Sequence, residues 1–116
     1  MGPEAQWRDA LKQGRFLIQR ARVSGACFFP PRSAEPLSGD RDWEWIEASG
    51  AGTVHSVTVV HPRPPQAPYN VVLVDLAEGP RMMSRVEGGG PVRIGMSVQA
   101  RIDSGGTEPI ILFDPA

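Results

Sequence analysis

The chain has 116 residues, of which 41% are hydrophobic and 22% charged, and this fits one globular domain with room for a small appendage. A formal net charge of −1 excludes a protein that binds polyanions through its overall charge, and a single cysteine, Cys27, excludes an internal disulfide. No apolar run approaches the roughly 20 residues of a membrane span. Residues 1–14 lack the apolar segment of a signal peptide, so we expect a cytoplasmic protein.

Charge is distributed unevenly over the first part of the chain. Residues 1–32 hold six basic side chains against two acidic ones, whereas residues 33–47 hold five acidic side chains against one basic. Two interpretations remain open. Either the neighbouring segments neutralise each other, or an electropositive N-terminal face meets a phosphate-bearing ligand or an acidic partner.

The first predicted element is a helix over residues 3–13. Trp7, Ala10 and Leu11 form one apolar stripe at helical spacing, and Gly14 suits the position just beyond the end. A helix this short is marginal in isolation, so it must dock on another element. Trp7 is expected to be the anchor, either in the core or against a partner.

A short strand is predicted over residues 15–22, with Phe16 and Ile18 on one face. The proline pair at residues 30–31 imposes an extended bridge because proline cannot continue regular structure. Residues 43–47 alternate in part and predict a second strand.

A bend or bulge at residues 50–52 leads into short segments rich in β-branched residues and separated by turn residues. The proline-rich stretch 62–68 is a predicted loop, and the glycine run 88–90 is a predicted hairpin connection. Five such segments in a hairpin-rich meander favour an all-β fold, a small closed antiparallel barrel of the OB type with an N-terminal helix. The predicted strands are residues 53–61, 69–76, 81–86, 97–102 and 109–113.

Few side chains are candidates for chemistry. Cys27 has no base and orienting group in a recognisable arrangement, so a buried structural thiol is expected. His55 and His61 lie in one predicted strand. A regular strand puts them on one face and a bulge puts them on opposite faces, so a shared site stays open beside the expectation of two ordinary strand histidines. One of Met82 and Met83 must face outward, which suits an adaptable protein contact.

Two tight turns, at residues 21–25 and 35–39, have the outline of the metal-binding turns of a zinc ribbon. A ribbon takes four thiolates from two Cys-x-x-Cys turns. Here the turn glycines are kept and every thiol is absent.

A series of short motifs follows in order along nearly the whole chain. They are Gly14-Arg15, Leu17-Ile18-Gln19, Pro30-Pro31-Arg32, Trp45 before Ser49-Gly50, Gly52-Thr53-Val54, Val60-His61, Pro68-Tyr69, Val74-Asp75-Leu76, Gly79-Pro80, Ile94-Gly95-Met96 and Phe113-Asp114-Pro115. Each motif is weak alone. In this order and spacing they resemble the zinc-ribbon plus OB-fold family catalogued as domain-of-unknown-function family thirty-five, whose members accompany acyl-CoA enzymes.

The resemblance implies two domains. Residues 1–47 would form the N-terminal helix with a degenerate, rubredoxin-like zinc ribbon, and residues 48–116 would form the OB barrel. The family has cysteines at the positions held here by Ala21, Ser24, Glu35 and Ser38. One carboxylate does not hold a structural zinc site, so we expect no metal and no other cofactor.

The resemblance also implies a non-catalytic accessory or scaffold subunit. Its partner would be a thiolase-like or other acyl-CoA carbon–carbon bond enzyme, with a CoA thioester as a further ligand. The candidate partner contacts are Trp7, Phe28, Phe29 and Trp43. The candidate contacts to acyl-CoA or to the partner are Arg32, His61, Tyr69 and Arg81. A small CoA-binding protein would need Arg32, Arg81 or another basic residue on the nucleotide phosphates.

A module that binds single-stranded nucleic acid is the alternative, because OB barrels often bind strands through aromatic side chains and a basic groove. Here Tyr69 is the only ring in the segment 69–76, and Arg81 and Arg85 stand in a strand without rings. The net charge is slightly acidic as well. Nucleic acid and membrane are therefore not the expected partners.

Overall fold

The computed structural model describes residues 2–88 and 90–116. Within these residues a single helix precedes eight strands arranged in two sheets. The elements are α1 (Pro3–Lys12), β1 (Leu17–Ala21), β2 (Cys27–Phe28), β3 (Trp43–Glu47), β4 (Ala51–Val60), β5 (Tyr69–Leu76), β6 (Arg81–Ser84), β7 (Ser97–Asp103) and β8 (Ile110–Pro115). None of the described residues forms a helix that is long and apolar enough to cross a bilayer.

The N-terminal part is a small antiparallel sheet with strand order β2-β1-β3, and α1 packs on β1. The predicted helical stripe is confirmed, since Ala10 and Leu11 are buried. Trp7 is half-buried, and its indole N–H donates to the Leu17 carbonyl at 2.9 Å. The prediction missed β2, which has two residues and is therefore too short for a periodic signal.

The second sheet is five-stranded and antiparallel, with order β6-β5-β4-β7-β8, and confirms the predicted OB-type fold. The bend predicted at residues 50–52 is made by Gly50, whose φ is 81°. The bulge lies further along β4, because the register against β5 shifts between Val54 and Ser56, leaving His55 as the extra residue.

The predicted closed barrel is not closed by a continuous ladder between its edge strands. The edge strands do not form a common ladder, and their meeting point is one isolated parallel bridge between Val86 and Phe113. Phe113 N–H donates to Arg85 O at 3.0 Å, and Glu87 N–H donates to Phe113 O at 2.8 Å. The predicted strand 81–86 therefore ends at Ser84. The predicted connection at residues 88–90 includes Gly89, which lies outside the described residues.

One apolar core joins the two sheets. Leu11, Phe16 and Ile18 from the N-terminal part belong to the same buried cluster as Val54 and Phe113 of the barrel. The predicted boundary at residues 47/48 falls between the sheets, and the core runs across it. The division into two domains stays a prediction.

Candidate partner-binding surface

A concavity, here called the cleft, lies between α1, the bridge segment of residues 29–32 and the strands β6 and β8. Its volume is about 570 Å³. It brings together Trp7 and Phe29, two of the predicted partner contacts, whose rings meet edge to face with centroids 5.6 Å apart. The lining residues are Glu4, Trp7, Arg8, Phe29, Pro30, Pro31, Met82, Met83, Glu108, Pro109, Ile110 and Ile111.

The barrel side of the cleft is apolar and partly exposed. Met82 is 5% exposed and Met83 is 69% exposed, which confirms that one of the pair faces outward. Ile110, at the start of β8, is 47% exposed. Ile110 and Glu108 were not identified from the sequence as residues of this surface. An isoleucine that begins a strand directly after turn residues could have indicated an exposed apolar side chain at position 110.

A buried amide fixes the bridge segment. Gln19 is fully buried; its Nε2 donates to Arg32 O at 2.6 Å, and Arg32 N–H donates to its Oε1 at 2.8 Å. This pair ties the wall of the cleft to β1. Because the Trp7 indole is likewise hydrogen-bonded to Leu17 O, both aromatic walls of the cleft are tied to β1.

The other two predicted partner contacts lie elsewhere. Phe28 is 4% exposed and therefore offers no surface to a partner, whereas its neighbour Phe29 is half-buried and lines the cleft. Trp43 packs edge to face on Trp45, with centroids 5.2 Å apart, and its indole N–H donates to Ser33 O. Neither residue lines the cleft.

The four predicted acyl-CoA contacts do not form one site. His61 and Tyr69 lie at one end of the β4–β5 hairpin, where Val60 pairs with Tyr69. Arg81 pairs with Asp75 near the other end of β5, about 20 Å away at 3.3 Å per residue. Arg32 belongs to the bridge segment beside α1.

A charged cluster occupies the barrel surface at the bulge. Asp75 Oδ1 accepts from Arg81 Nε at 2.7 Å, and Asp75 Oδ2 lies 3.3 Å from Nδ1 of His55. Arg81 is the main cause of a lowered pKa for Asp75, and His55 adds to it. Since His55 lies here and His61 lies about 20 Å along the strand, the two histidines do not share a site.

Four basic residues of the N-terminal part form close ion pairs, one with an acid of α1 and three with acids of β3 and its approach. The N–O distances of these four pairs lie between 2.8 and 3.1 Å. The pairs are Arg8–Glu4, Arg15–Glu47, Arg20–Glu44 and Arg22–Asp42. Of the two interpretations of the charge pattern, mutual neutralisation is the one that this arrangement favours.

The two tight turns share one hydrogen-bond pattern. Gly25 N–H donates to Ala21 O and Ala21 N–H to Ala26 O; Gly39 N–H donates to Glu35 O and Glu35 N–H to Asp40 O. Both turn glycines have positive φ, 76° and 73°. The turns thus keep one backbone geometry without any thiol.

The Glu35 carboxylate accepts hydrogen bonds from its own turn. Its Oε2 accepts from the Ser38 hydroxyl and from the backbone N–H groups of Leu37 and Ser38, and these bonds lower the pKa of Glu35, the hydroxyl most. Residues 2–88 and 90–116 contain no group of three His, Cys, Asp or Glu side chains that could hold a metal. The residues of the two turns therefore do not fit a zinc ion.

Cys27 has no arrangement for nucleophilic chemistry around it. The side chain is half-buried, packs against the core and makes no disulfide. Burial raises the pKa of the thiol, which is the opposite of what an activated nucleophile requires.

Three comparisons with known proteins bear on the family. A family model described as the C-terminal OB-fold domain of ChsH2 matches residues 45–103. The DUF35 domain-containing scaffold protein of Methanocaldococcus jannaschii is 32% identical, over 92% of this chain and 83% of its own. A chain in the solved Ltp2–ChsH2(DUF35) aldolase superposes with a TM-score of 0.84 at 35% identity, over 97% of this chain and 94% of that one.

A longer relative matches through one segment. The probable enoyl-CoA hydratase alpha subunit of Thermomonospora curvata is 40% identical over 81% of this chain, but that match spans 31% of the subunit. This chain thus corresponds to about a third of that protein. The family model, the scaffold relative and the superposed structure agree with one another, and the chain belongs to the DUF35 family of OB-fold proteins.

Proposed function

We propose that this protein is a non-catalytic accessory subunit that binds an acyl-CoA enzyme through the cleft. The observation that carries the proposal is a rigid, aromatic and apolar cleft on a chain whose titratable side chains are mostly tied up in surface ion pairs. Trp7 and Phe29 are fixed by hydrogen bonds and packing, while Met83 and Ile110 stay exposed beside them. Exposed apolar surface of this kind, rimmed by charges, is typical of a protein-binding site.

Three relatives support the kind of partner. The relative from Methanocaldococcus jannaschii is named a scaffold protein. The superposed chain belongs to the Ltp2–ChsH2(DUF35) aldolase, whose name includes a second component. The relative from Thermomonospora curvata is named a probable hydratase subunit, and the matching segment is part of its longer chain. The finer proposal, which rests on the sequence resemblance, is a thiolase-like enzyme that forms or breaks carbon–carbon bonds.

Affinity purification of the tagged chain from its native host tests this function. Mass spectrometry of the eluate should show an acyl-CoA enzyme in a stoichiometric complex, and size-exclusion chromatography should keep the two together. A Trp7→Ala variant should lose the enzyme, whereas Trp43→Ala, outside the cleft, should retain it. Recovery of the wild-type chain only as a free protein would reject the proposal.

A direct contact with the CoA nucleotide is a separate proposal, and Arg32 is the residue best placed for it. Arg32 lines a second cavity of about 430 Å³ between the first turn of α1 and the bridge segment. Its guanidinium makes no ion pair within residues 2–88 and 90–116, whereas Arg81 is paired with Asp75. Calorimetry with CoA on the complex should show weaker binding for Arg32→Ala than for the loop variant Arg63→Ala. Equal binding by the two variants would remove Arg32 from the site.

A further inference from the structure

The gap between β6 and β8, here called the seam, holds backbone groups without ladder partners. At the turn between β5 and β6, Leu76 N–H donates to Pro80 O, and this fixes the hydrogen-bonded pairs between the two strands at alternate positions. Met82 and Ser84 therefore turn their backbone groups toward β5. Met83 turns its N–H and C=O toward the seam, where neither makes a backbone hydrogen bond within the described residues.

The facing edge of β8 has the same property. Ala116 N–H donates to Ser97 O, so alternation along β8 turns the backbone groups of Ile111 and Phe113 away from β7 and into the seam. Phe113 makes the closing bridge. The Ile111 carbonyl accepts instead from the Ser84 hydroxyl at 2.8 Å, and the Ile111 N–H has no backbone partner in the part of the chain that the structure describes. The Ser84 side chain thus makes the contact that a backbone hydrogen bond between β6 and β8 would otherwise make.

Two concavities border the seam. The cleft includes Met82, Met83 and residues 108–111, and a further cavity of about 370 Å³ includes Met83, Ser84 and residues 110–112. Exposed Met83 and Ile110 flank the opening, so its side-chain surface is apolar. The charge on its rim is acidic, because Arg8 is neutralised by Glu4 and Glu108 has no ion pair within residues 2–88 and 90–116.

We propose that the acyl-CoA enzyme places an extended, apolar segment with a basic residue along the seam, where it pairs with the free edge of β6. Unpaired edge groups are a template for an added strand, and main-chain hydrogen bonds would give the affinity while apolar side chains fill the cleft. The basic residue would face Glu108. This inference rests on the proposed function and specifies how the partner is held.

The test uses the full-length chain and the enzyme that co-purifies with it. Met83→Asp places a charge in the seam without altering the backbone, and affinity for the enzyme should fall by about tenfold or more, as for a central interface residue. Leu37→Asp is the matched control, since Leu37 is 95% exposed but lies in the second turn. Both variants should keep the wild-type melting temperature because both side chains project into solvent.

A second readout separates strand pairing from side-chain contact. Residue-resolved hydrogen exchange by NMR should show the amides of Met83 and Ile111 protected in the complex and exchanging faster in the free chain. Equal affinities of Met83→Asp and Leu37→Asp, or unchanged exchange at both amides, would overturn the strand site while leaving the accessory function standing. If no acyl-CoA enzyme binds the wild-type chain, the accessory function fails and the strand site fails with it.

Discussion

The side chain of Gln19 forms a cyclic pair of hydrogen bonds with the backbone of Arg32, one donated at 2.6 Å and one accepted at 2.8 Å. Asn70 makes the same arrangement with Val86: its Nδ2 donates to Val86 O at 2.8 Å and its Oδ1 accepts from Val86 N–H at 2.9 Å. The first pair holds the wall of the cleft, and the second holds the point at which the barrel closes. Two amides therefore position the borders of the proposed binding surface.

Replacing Gln19 by alanine should destabilise the protein by about 1–3 kcal/mol, because it leaves the Arg32 N–H and C=O without partners in a partly buried place. Urea unfolding followed by tryptophan fluorescence measures the loss. Gln66→Ala, in the exposed loop after β4, should stay within about 0.5 kcal/mol of wild type. Equal stabilities of the two variants would show that the hydrogen bonds between Gln19 and Arg32 contribute nothing to the free energy of unfolding.

Asn70→Asp keeps the shape of the side chain but removes the donor to Val86 O and sets a carboxylate against that carbonyl. We expect a loss of about 1–3 kcal/mol. The amide of Phe113, which depends on the closing bridge, should exchange faster with solvent than in wild type. Thr107→Ala, in the exposed β7–β8 turn, should change neither quantity. Unaltered exchange at Phe113 in the aspartate variant would contradict a closing role for Asn70.

Glu35→Gln should lower the melting temperature near neutral pH, with a difference from wild type that shrinks in acid. The pKa of Glu35 is lowered in the folded protein, first by the Ser38 hydroxyl. Its stabilising contribution is therefore present above the unfolded-state pKa and is lost as the pH falls through the folded-state pKa. Melting curves between about pH 7 and about pH 3 measure the change. Glu108→Gln is the control, because Glu108 makes no ion pair within residues 2–88 and 90–116. A difference between Glu35→Gln and wild type that does not change with pH would refute the assignment.

Gly52→Ala should cost about 1–3 kcal/mol through overpacking. A Cβ at this position would lie 2.5 Å from Val74 Cγ1 and 3.1 Å from Asp75 O, across the β4–β5 ladder next to the bulge. Gly106→Ala is the control, since its nearest neighbour would be 3.9 Å away. Chemical denaturation of both variants decides the point, and a fully stable Gly52→Ala would mean that β4 and β5 separate readily here.

The sequence predicted the elements that have a local signal, and the misses have physical causes. β3 and β5 coincide with their predicted ranges because β-branched and aromatic residues fill them. The two-residue β2 and the displaced bulge at His55 depend on which strand lies alongside, which no local pattern records.

The candidate site divides in the same way. Aromatic residues at Trp7 and Phe29 and an outward methionine could be predicted, whereas the burial of Phe28 in place of Phe29 could not, because the proline pair interrupts the alternation that would assign the faces. Gln19 and Asn70 each stand as a lone amide in an apolar strand. A lone amide of this kind is a recognisable sign of a buried side chain that hydrogen-bonds to the backbone. The partners could not be predicted, because they lie 13 and 16 residues away in the chain.

The carboxylate turn at Glu35 also has a consequence for how the protein is made. A ribbon held by thiolates folds only as fast and as fully as zinc is delivered, since the binding energy of the metal is part of its folding energy. Here the anion that organises the turn is encoded in the chain and is present from synthesis onward. We therefore expect the yield of folded protein to be the same in zinc-starved and zinc-replete cells.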